Sequence, residues 1–565
     1  MRASLQCRQV LPRVDAPSLA CRDPSRTCND RSYRSCRVRE RVRERRGRVW
    51  KQWEDTMRLR KFLFAAALSV ALPAIAGVGS VSPAHAESTV NIGLPFQLSP
   101  RYFDPTETAN GTYFAILYAV HDALVRLDDQ GARPSLAESV TSNADLTEIT
   151  YRLRPGLTFH NGDPLTADDV RFSLEHYSGT SADAFKSRIA AIETPDELTV
   201  VVRLHSPWPD YAALSGTTAS AFGWIVPKAY YEKLGAEGFM NAPVGLGPFM
   251  VEKIDPGREV VLKRFDNYHG RKPLVDRIVM RTATDGAQSL AQVNTGELDV
   301  AYNMLGELGV AASKMDGVTL YENPTYTTFF LKFFDAADPD SPWSRKEVRQ
   351  AVNLLLDREA ISMIETNGAS PATQSIVPSK LPYAVELPVS KPDLEQARKL
   401  LAEAGYPDGF DGGKLVPIAP YWRMAEAVAA MLDAAGIKVE IQKMERAVFY
   451  QKLADKEMTG VCLCADGTMG NASTRLGRHV YSKGVHNYAP VPEFDALYEA
   501  QLVEIDEAKR AEMLAELQRK VYDMAYDAPI FNLALPAAIG PRVKNAAFLV
   551  PGNAYIAPVE LLELK

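Results

Sequence analysis

The sequence predicts an exported α/β protein of several domains, and three observations carry that expectation. An export signal starts at an internal methionine, Met57. Helix and strand signals alternate over the rest of the chain, as they do in α/β architectures. Residues 87–565, the part beyond the signal, are long enough for about three separately packed cores.

The signal has three parts. Arg58, Arg60 and Lys61 form a basic start, residues 62–76 an apolar run, and Ala84-His85-Ala86 a small-residue cleavage site. The run falls short of the roughly 20 apolar residues of a spanning helix, and no cysteine follows for lipid attachment. Residues 1–56 hold 14 Arg and one Lys against seven Asp or Glu, with little apolar periodicity. Such a segment buries too little apolar surface to offset its ordering entropy. The expectation is that translation starts at Met57 and residues 1–56 are not made. A disordered basic arm on a long leader is the alternative.

Cleavage after Ala86 changes the composition. The whole chain carries 64 basic and 70 acidic residues, net −6. Residues 1–86 hold 18 of the basic and 7 of the acidic ones, which leaves 46 against 63, net −17. An acidic chain is a poor partner for nucleic acid or an anionic membrane. Cys7, Cys21, Cys28 and Cys36 leave with the first 86 residues, so only Cys462 and Cys464 remain and the fold is not a disulfide scaffold.

Several elements read clearly. Residues 148–154 alternate in polarity and end at Pro155-Gly156, a strand and its turn. Thr166-Ala167-Asp168-Asp169 has capping-box spacing and opens a helix with Val170, Leu174 and Tyr177 on one face. Asp393 caps a second helix with Leu394, Ala397, Leu401 and Ala404 inward, ended by Gly405 and Pro407. A third helix, 423–435, stops at Gly436 and leads into residues 437–442, a strand of strict period two. No internal repeat is evident.

No catalytic constellation emerges. The chain has no G-x-S-x-G elbow, no Walker loop and no H-E-x-x-H. Gly245-Leu246-Gly247-Pro248 has the start of a dinucleotide loop, but Pro248 and the missing third glycine favour a turn. His479 and His486, near Arg475 and Arg478, read as polar lining or as metal ligands. Cys462 and Cys464 share one face of a strand. They read as two buried thiols, with a disulfide or a metal site as alternatives. A binding protein is the natural reading, with no cofactor and no catalytic residue.

Several longer segments carry a resemblance. They are RPSLAES (133–139), RLRPGLTFHNGDPLTADDVRFSLEHY (152–177), PVGLGPF (243–249), FDNYHGRKPLVDRIVMR (265–281), GELDVA (296–301), KEVRQAVNLLLDREAI (346–361) and DLEQARKLLAEAGYPDGF (393–410). In this order they resemble the family 5 solute-binding proteins of ABC importers, the dipeptide, oligopeptide and nickel-binding group, over residues 88–565. The resemblance implies a two-lobed periplasmic binding protein fold (type II) with two hinge crossovers, near 321–330 and 529–536, and an extra domain on the first lobe. One lobe would comprise 87–130, 245–318 and 535–565, the extra domain 131–244, and the other lobe 319–534. The lobes would close on a solute, and the closed form would engage an inner-membrane permease and ATPase complex; a monomer is expected.

The resemblance also implies a site. In peptide-binding members an Asp in a W-x-x-D segment pairs with the peptide's amino group. Here Leu463-Cys464-Ala465-Asp466 keeps the acid and lacks the tryptophan. Asp466 would meet a cationic group, Arg475 or Arg478 an acidic end, and Tyr421 with Trp422 a stacking wall. Phe103, Asn110 and Tyr113 would face the cleft from the first lobe. A small peptide, or another polar organic molecule with both charge signs, is the expected solute. A metal chelate or haem is the rival within the family, a secreted hydrolase the rival of another class, and a sensor that serves a chemoreceptor would share fold and site.

Overall fold

A computed structural model describes residues 87–107, 114–128, 131–179, 182–216, 222–467, 470–549 and 558–565. The expected leader and the residues before it, as well as Asn110 and Tyr113, lie outside the described residues.

Three large sheets organise the chain. The first has seven strands, in the order Thr319–Tyr321, Ala537–Ile539, Val300–Ala301, Thr89–Leu94, Arg277–Thr282, Glu259–Arg264 and Phe249–Asp255. Its central strand, Thr89–Leu94, runs parallel to both neighbours and buries Val90, Ile92 and Leu94 completely. The second has five strands, in the order Ile437–Ile441, Phe410–Pro417, Val461–Asp466, Pro324–Phe333 and Asp527–Ala534. The third is antiparallel with four strands, in the order Ala137–Ser142, Glu148–Leu153, Thr199–Leu204 and Ile189–Asp196. Each sheet has its own apolar cluster, centred for example on Ile92 and Phe249, on Phe330 and Leu463, and on Tyr151 and Val200.

The first and second sheets are joined at two places. Strand Thr319–Tyr321 passes into Pro324–Phe333 after two residues, and Asp527–Ala534 passes into Ala537–Ile539 after two more. These crossovers lie side by side, because the Leu535 amide donates to the Asn323 carbonyl at 3.0 Å. They are shorter than the expected segments, since most of 321–330 and 529–536 is spent in strands of the second sheet.

The local signals act as their chemistry dictates. Thr166 and Asp169 close a reciprocal capping box ahead of helix Ala167–His176. Asp393 accepts the Gln396 amide at the start of helix Leu394–Glu403. Ala397, Leu401 and Ala404 face inward as expected, but Leu394 is exposed, because the first helical turn extends beyond the core. Helix Trp422–Asp433 ends before Gly436, at φ 86°, where a Cβ would stand 2.6 Å from the Asp408 carbonyl oxygen. Glycine is therefore required there twice over. Gly245 and Gly247 mark a close approach of two chain segments. A Cβ would meet the Val120 carbonyl oxygen at 2.0 Å or that of Ala119 at 2.6 Å, and the Gly247 amide donates to Val120.

Some family-like segments meet at one buried carboxylate. Asp122 accepts from the Ala123 amide at 2.8 Å, Arg126 Nε at 3.0 Å, Ser135 Oγ at 3.1 Å and Tyr268 Oη at 3.2 Å, and His269 Nε2 lies 3.2 Å from it without a hydrogen bond. Arg126 continues to Glu560 at 2.6 Å. This network staples the third sheet's domain to the first sheet.

Candidate functional site

The polar residues of the second sheet gather at the end that leads to the crossovers. Strand Val461–Asp466 runs antiparallel to Pro324–Phe333, with Asp466 opposite Thr328. Thr328 in turn donates to Asn532 Oδ1 at 2.9 Å. Thr328 is four residues from Pro324, about 13 Å along an extended strand, so Asp466 stands near the passage into the first sheet.

Helix Ala472–His479, capped by Asn471, brings Arg475, Arg478 and His479 to Asp466, and the loop beyond it brings His486. Asp466 Oδ2 lies 3.0 Å from His479 Nε2, 3.1 Å from Arg478 Nε and 3.9 Å from His486 Nε2. Arg475 is fully buried and braces the main chain, donating to the carbonyls of Asp466 and Tyr326 at 2.6 Å each. Burial by itself would raise the Asp466 pKa. The guanidinium groups of Arg478 and Arg475, with His479, overcome it and hold the carboxyl well below the usual range. Burial, helped by neighbouring His479, pushes His486 well below the ordinary imidazole value, so it is neutral at pH 7.

The network continues inward. His479 Nδ1 lies 3.5 Å from Asp527, which pairs with Lys332 at 2.8 Å, both almost wholly buried. Lys332 Nζ also sits 3.8 Å over the Tyr526 ring. The His479 and His486 rings stack at 4.6 Å, and both meet the edge or face of Phe330. Lys332 and Asp527 did not figure among the expected site residues. A lysine inside the apolar run Phe329-Phe330-Leu331-Lys332-Phe333 was the available signal, because a buried ammonium requires a partner.

The remaining expected residues that are described, Tyr421, Trp422 and Phe103, lie outside this network. Tyr421 and Trp422 sit half-buried at the start of helix Trp422–Asp433; the Tyr421 ring is edge-on to Phe329 at 4.5 Å, and burial pushes its phenol up to about 12. Phe103, expected at the cleft, is instead a core residue of the first sheet, only 1% exposed. It ends the turn Pro100–Phe103, whose carbonyl oxygen at Phe103 faces His121. Between the two sheets' domains is an open space of about 240 Å³, lined by Leu305, Gly306, Glu307 and Leu308 on one side and Ile364, Glu365 and Arg423 on the other.

A family model described as the middle part of the bacterial extracellular solute-binding proteins, family 5, matches residues 131–483. The chain belongs to that family. A Brucella ovis protein described as an ABC transporter peptide-binding protein is 29% identical over 408 residues, 68% of this chain and 74% of that one. Heme-binding protein A of Haemophilus influenzae is 26% identical over 496 residues, 79% of this chain and 88% of that one. Among solved structures, the ABC transporter substrate-binding protein CtaP of Listeria monocytogenes superposes with a TM-score of 0.74 at 21% identity, over 85% of this chain and 99% of that one. The architecture is thus the two-lobed binding protein fold with an extra domain.

Two features of this solute-binding protein bear on its metal chemistry. Cys462 and Cys464 are joined as a disulfide, Cα–Cα 5.3 Å, instead of standing as two thiols, because neighbouring positions on one strand face bring the sulfurs together. They therefore offer no thiolate ligand. Asp466, His479 and His486 place ligand atoms within 4.8 Å of one another, all buried. Around them Arg475, Arg478 and Lys332 already match Asp466 and Asp527 with one positive charge to spare.

Proposed function

We propose that this chain is exported, cleaved after Ala86, and works in the periplasm. There it captures a small peptide or similar polar organic solute between its lobes and delivers it to a permease and ATPase complex at the inner membrane. The first lobe comprises 87–130, 245–318 and 535–565, extended to Tyr321 by the edge strand Thr319–Tyr321. The extra domain is 131–244, and the second lobe, expected from 319, runs from 322 to 534. The observation that carries the reading is the polar cluster of Asp466 and Arg478 at the strand ends beside the crossovers, where closing lobes meet. Tyr421 and Trp422 supply flanking apolar surface. Closure follows from the solute's greater affinity for the closed form.

Native mass spectrometry of the exported protein tests this directly. The expected result is an N-terminus at Glu87 and a copurifying peptide-sized solute released on denaturation. A thermal-shift screen with peptides gives a second measure, since a ligand at 100 times its dissociation constant stabilises by about 2.7 kcal/mol. A haem or metal found instead of an organic solute would select the rival reading.

A further inference from the structure

The resemblance assigns Asp466 to a cationic group of the solute, but the geometry makes that carboxylate an internal partner. Its side chain is 3% exposed, and its Oδ2 is engaged by Arg478 Nε at 3.1 Å and His479 Nε2 at 3.0 Å. An incoming ammonium group would have to displace a guanidinium that the fold already holds there. Arg478 differs. Its side chain is 42% exposed, and among the described residues its only bond runs from Nε to Asp466. A guanidinium held by one edge has a second edge free for a planar anion. The local charge balance agrees, since Arg475, Arg478 and Lys332 outnumber Asp466 and Asp527.

We infer that the solute is read at this end of the cleft through a carboxylate or comparable planar anion by Arg478, with Asp466 as the positioning residue that orients the guanidinium, and that a free amino group is not required. The inference rests on the solute-capture reading above and sharpens its substrate class. It reverses the expected charge sign at Asp466 and moves the solute contact twelve residues along, to the last turn of helix Ala472–His479.

The test is a binding screen on the exported protein by thermal shift and native mass spectrometry. The probes are one tripeptide library in three forms (untreated, N-acetylated and C-amidated) and a panel of sugar acids and hydroxy acids. Binding should survive acetylation and be lost on amidation. Arg478→Gln should weaken the acid-bearing binders about 10- to 100-fold, the span of a charge-assisted hydrogen bond or two, and Arg478→Lys should restore part of it. The unliganded melting temperature of both variants reports folding, which a half-exposed side chain leaves largely intact. Asp466→Asn should weaken binding while leaving the acetylated and untreated forms equal. A residue bound directly to the amine would instead remove their difference only in the variant. Amidated peptides that bind like untreated ones, binding abolished by acetylation, or full affinity in Arg478→Gln would each overturn the inference while the solute-capture reading stands. Sugar acids that bind where no peptide does would support the anion and end the peptide reading. Silence toward every anionic probe also overturns the inference.

Discussion

Four buried or partly buried histidines shape the protein's behaviour in acid. Burial lowers His121 to about 3 and His160 to about 4, holds His486 well below its ordinary value, and lowers His269 against the pull of Asp122. Each is neutral when folded, whereas in the unfolded chain an imidazole titrates near 6.5. Below that pH the unfolded state binds protons that the folded state refuses, so stability falls as pH drops, by up to about 1.4 kcal/mol per pH unit for each group. His160 and His269 are less enclosed than the other two. Asp466 acts lower on the scale and with the usual carboxylate sign. Its depressed pKa lends stability that is present above the ordinary Asp value near 4 and disappears as pH falls below it. Urea midpoints measured from pH 7 to pH 5 should therefore decline, and His121→Gln, which removes one of these protons, should flatten the decline. A midpoint independent of pH over that range would contradict the assignment.

At the scale of elements, buried arginines fasten helices to neighbouring chain. Arg349, in helix Lys346–Leu355, donates to the carbonyls of Trp343, Ser344, Met524 and Ala525 at 2.8–3.1 Å. It ties that helix to the end of helix Glu507–Asp523. A lysine has one point charge and cannot reach four carbonyls from one fork. Arg349→Lys should cost about 2–3 kcal/mol in urea unfolding, the worth of one or two charge-assisted bonds lost in a buried place, with solute affinity per folded molecule unchanged. Such ties separate what was legible in the sequence from what was not. The capping box at Thr166, the Asp393 cap and the helix stop at Gly436 are written in four or five adjacent residues, so they could be read directly. Leu394 misled because helical periodicity says which face is apolar, not where the core ends. Lys332 and Asp527 are 195 residues apart in the sequence, and only the strand register of the second sheet brings them together. Asp466 and Arg478 were both named in advance, yet periodicity could not show that they would take each other as partners. That depends on the angle at which helix Ala472–His479 returns over its strand.

For the whole molecule, the decisive contact joins the extra domain to the second lobe. Asp210 lies between Trp208 and Tyr211 of the extra domain's core, and its carboxylate accepts from Arg510 Nη2 and, at 2.7 Å, from Asn471 Nδ2. Arg510 belongs to helix Glu507–Asp523 and is further held by the Gln501 carbonyl at 3.1 Å. The two charged side chains are only 6% and 2% exposed. Nearby, Arg188 stacks over Trp208 at 4.1 Å and reaches the Leu502 carbonyl at 3.4 Å, making a second tie across the same boundary. An opening motion that swings the second lobe away must separate Asp210 from Arg510 and hydrate both. If this is the motion that releases solute, the pair favours the closed arrangement, and its removal leaves Arg510 buried without its counter-charge there alone. Asp210→Asn keeps the shape of the side chain and removes the charge. It should shift the population toward open, raise the radius of gyration of the solute-free protein in X-ray scattering, and speed solute dissociation about tenfold or more, which corresponds to about 1.4 kcal/mol of lost preference for the closed form. The association rate should change less, because encounter precedes closure. If dissociation and scattering both match the wild type, the Asp210–Arg510 pair persists through opening, and the motion must instead pivot between the first lobe and a joined unit of extra domain and second lobe.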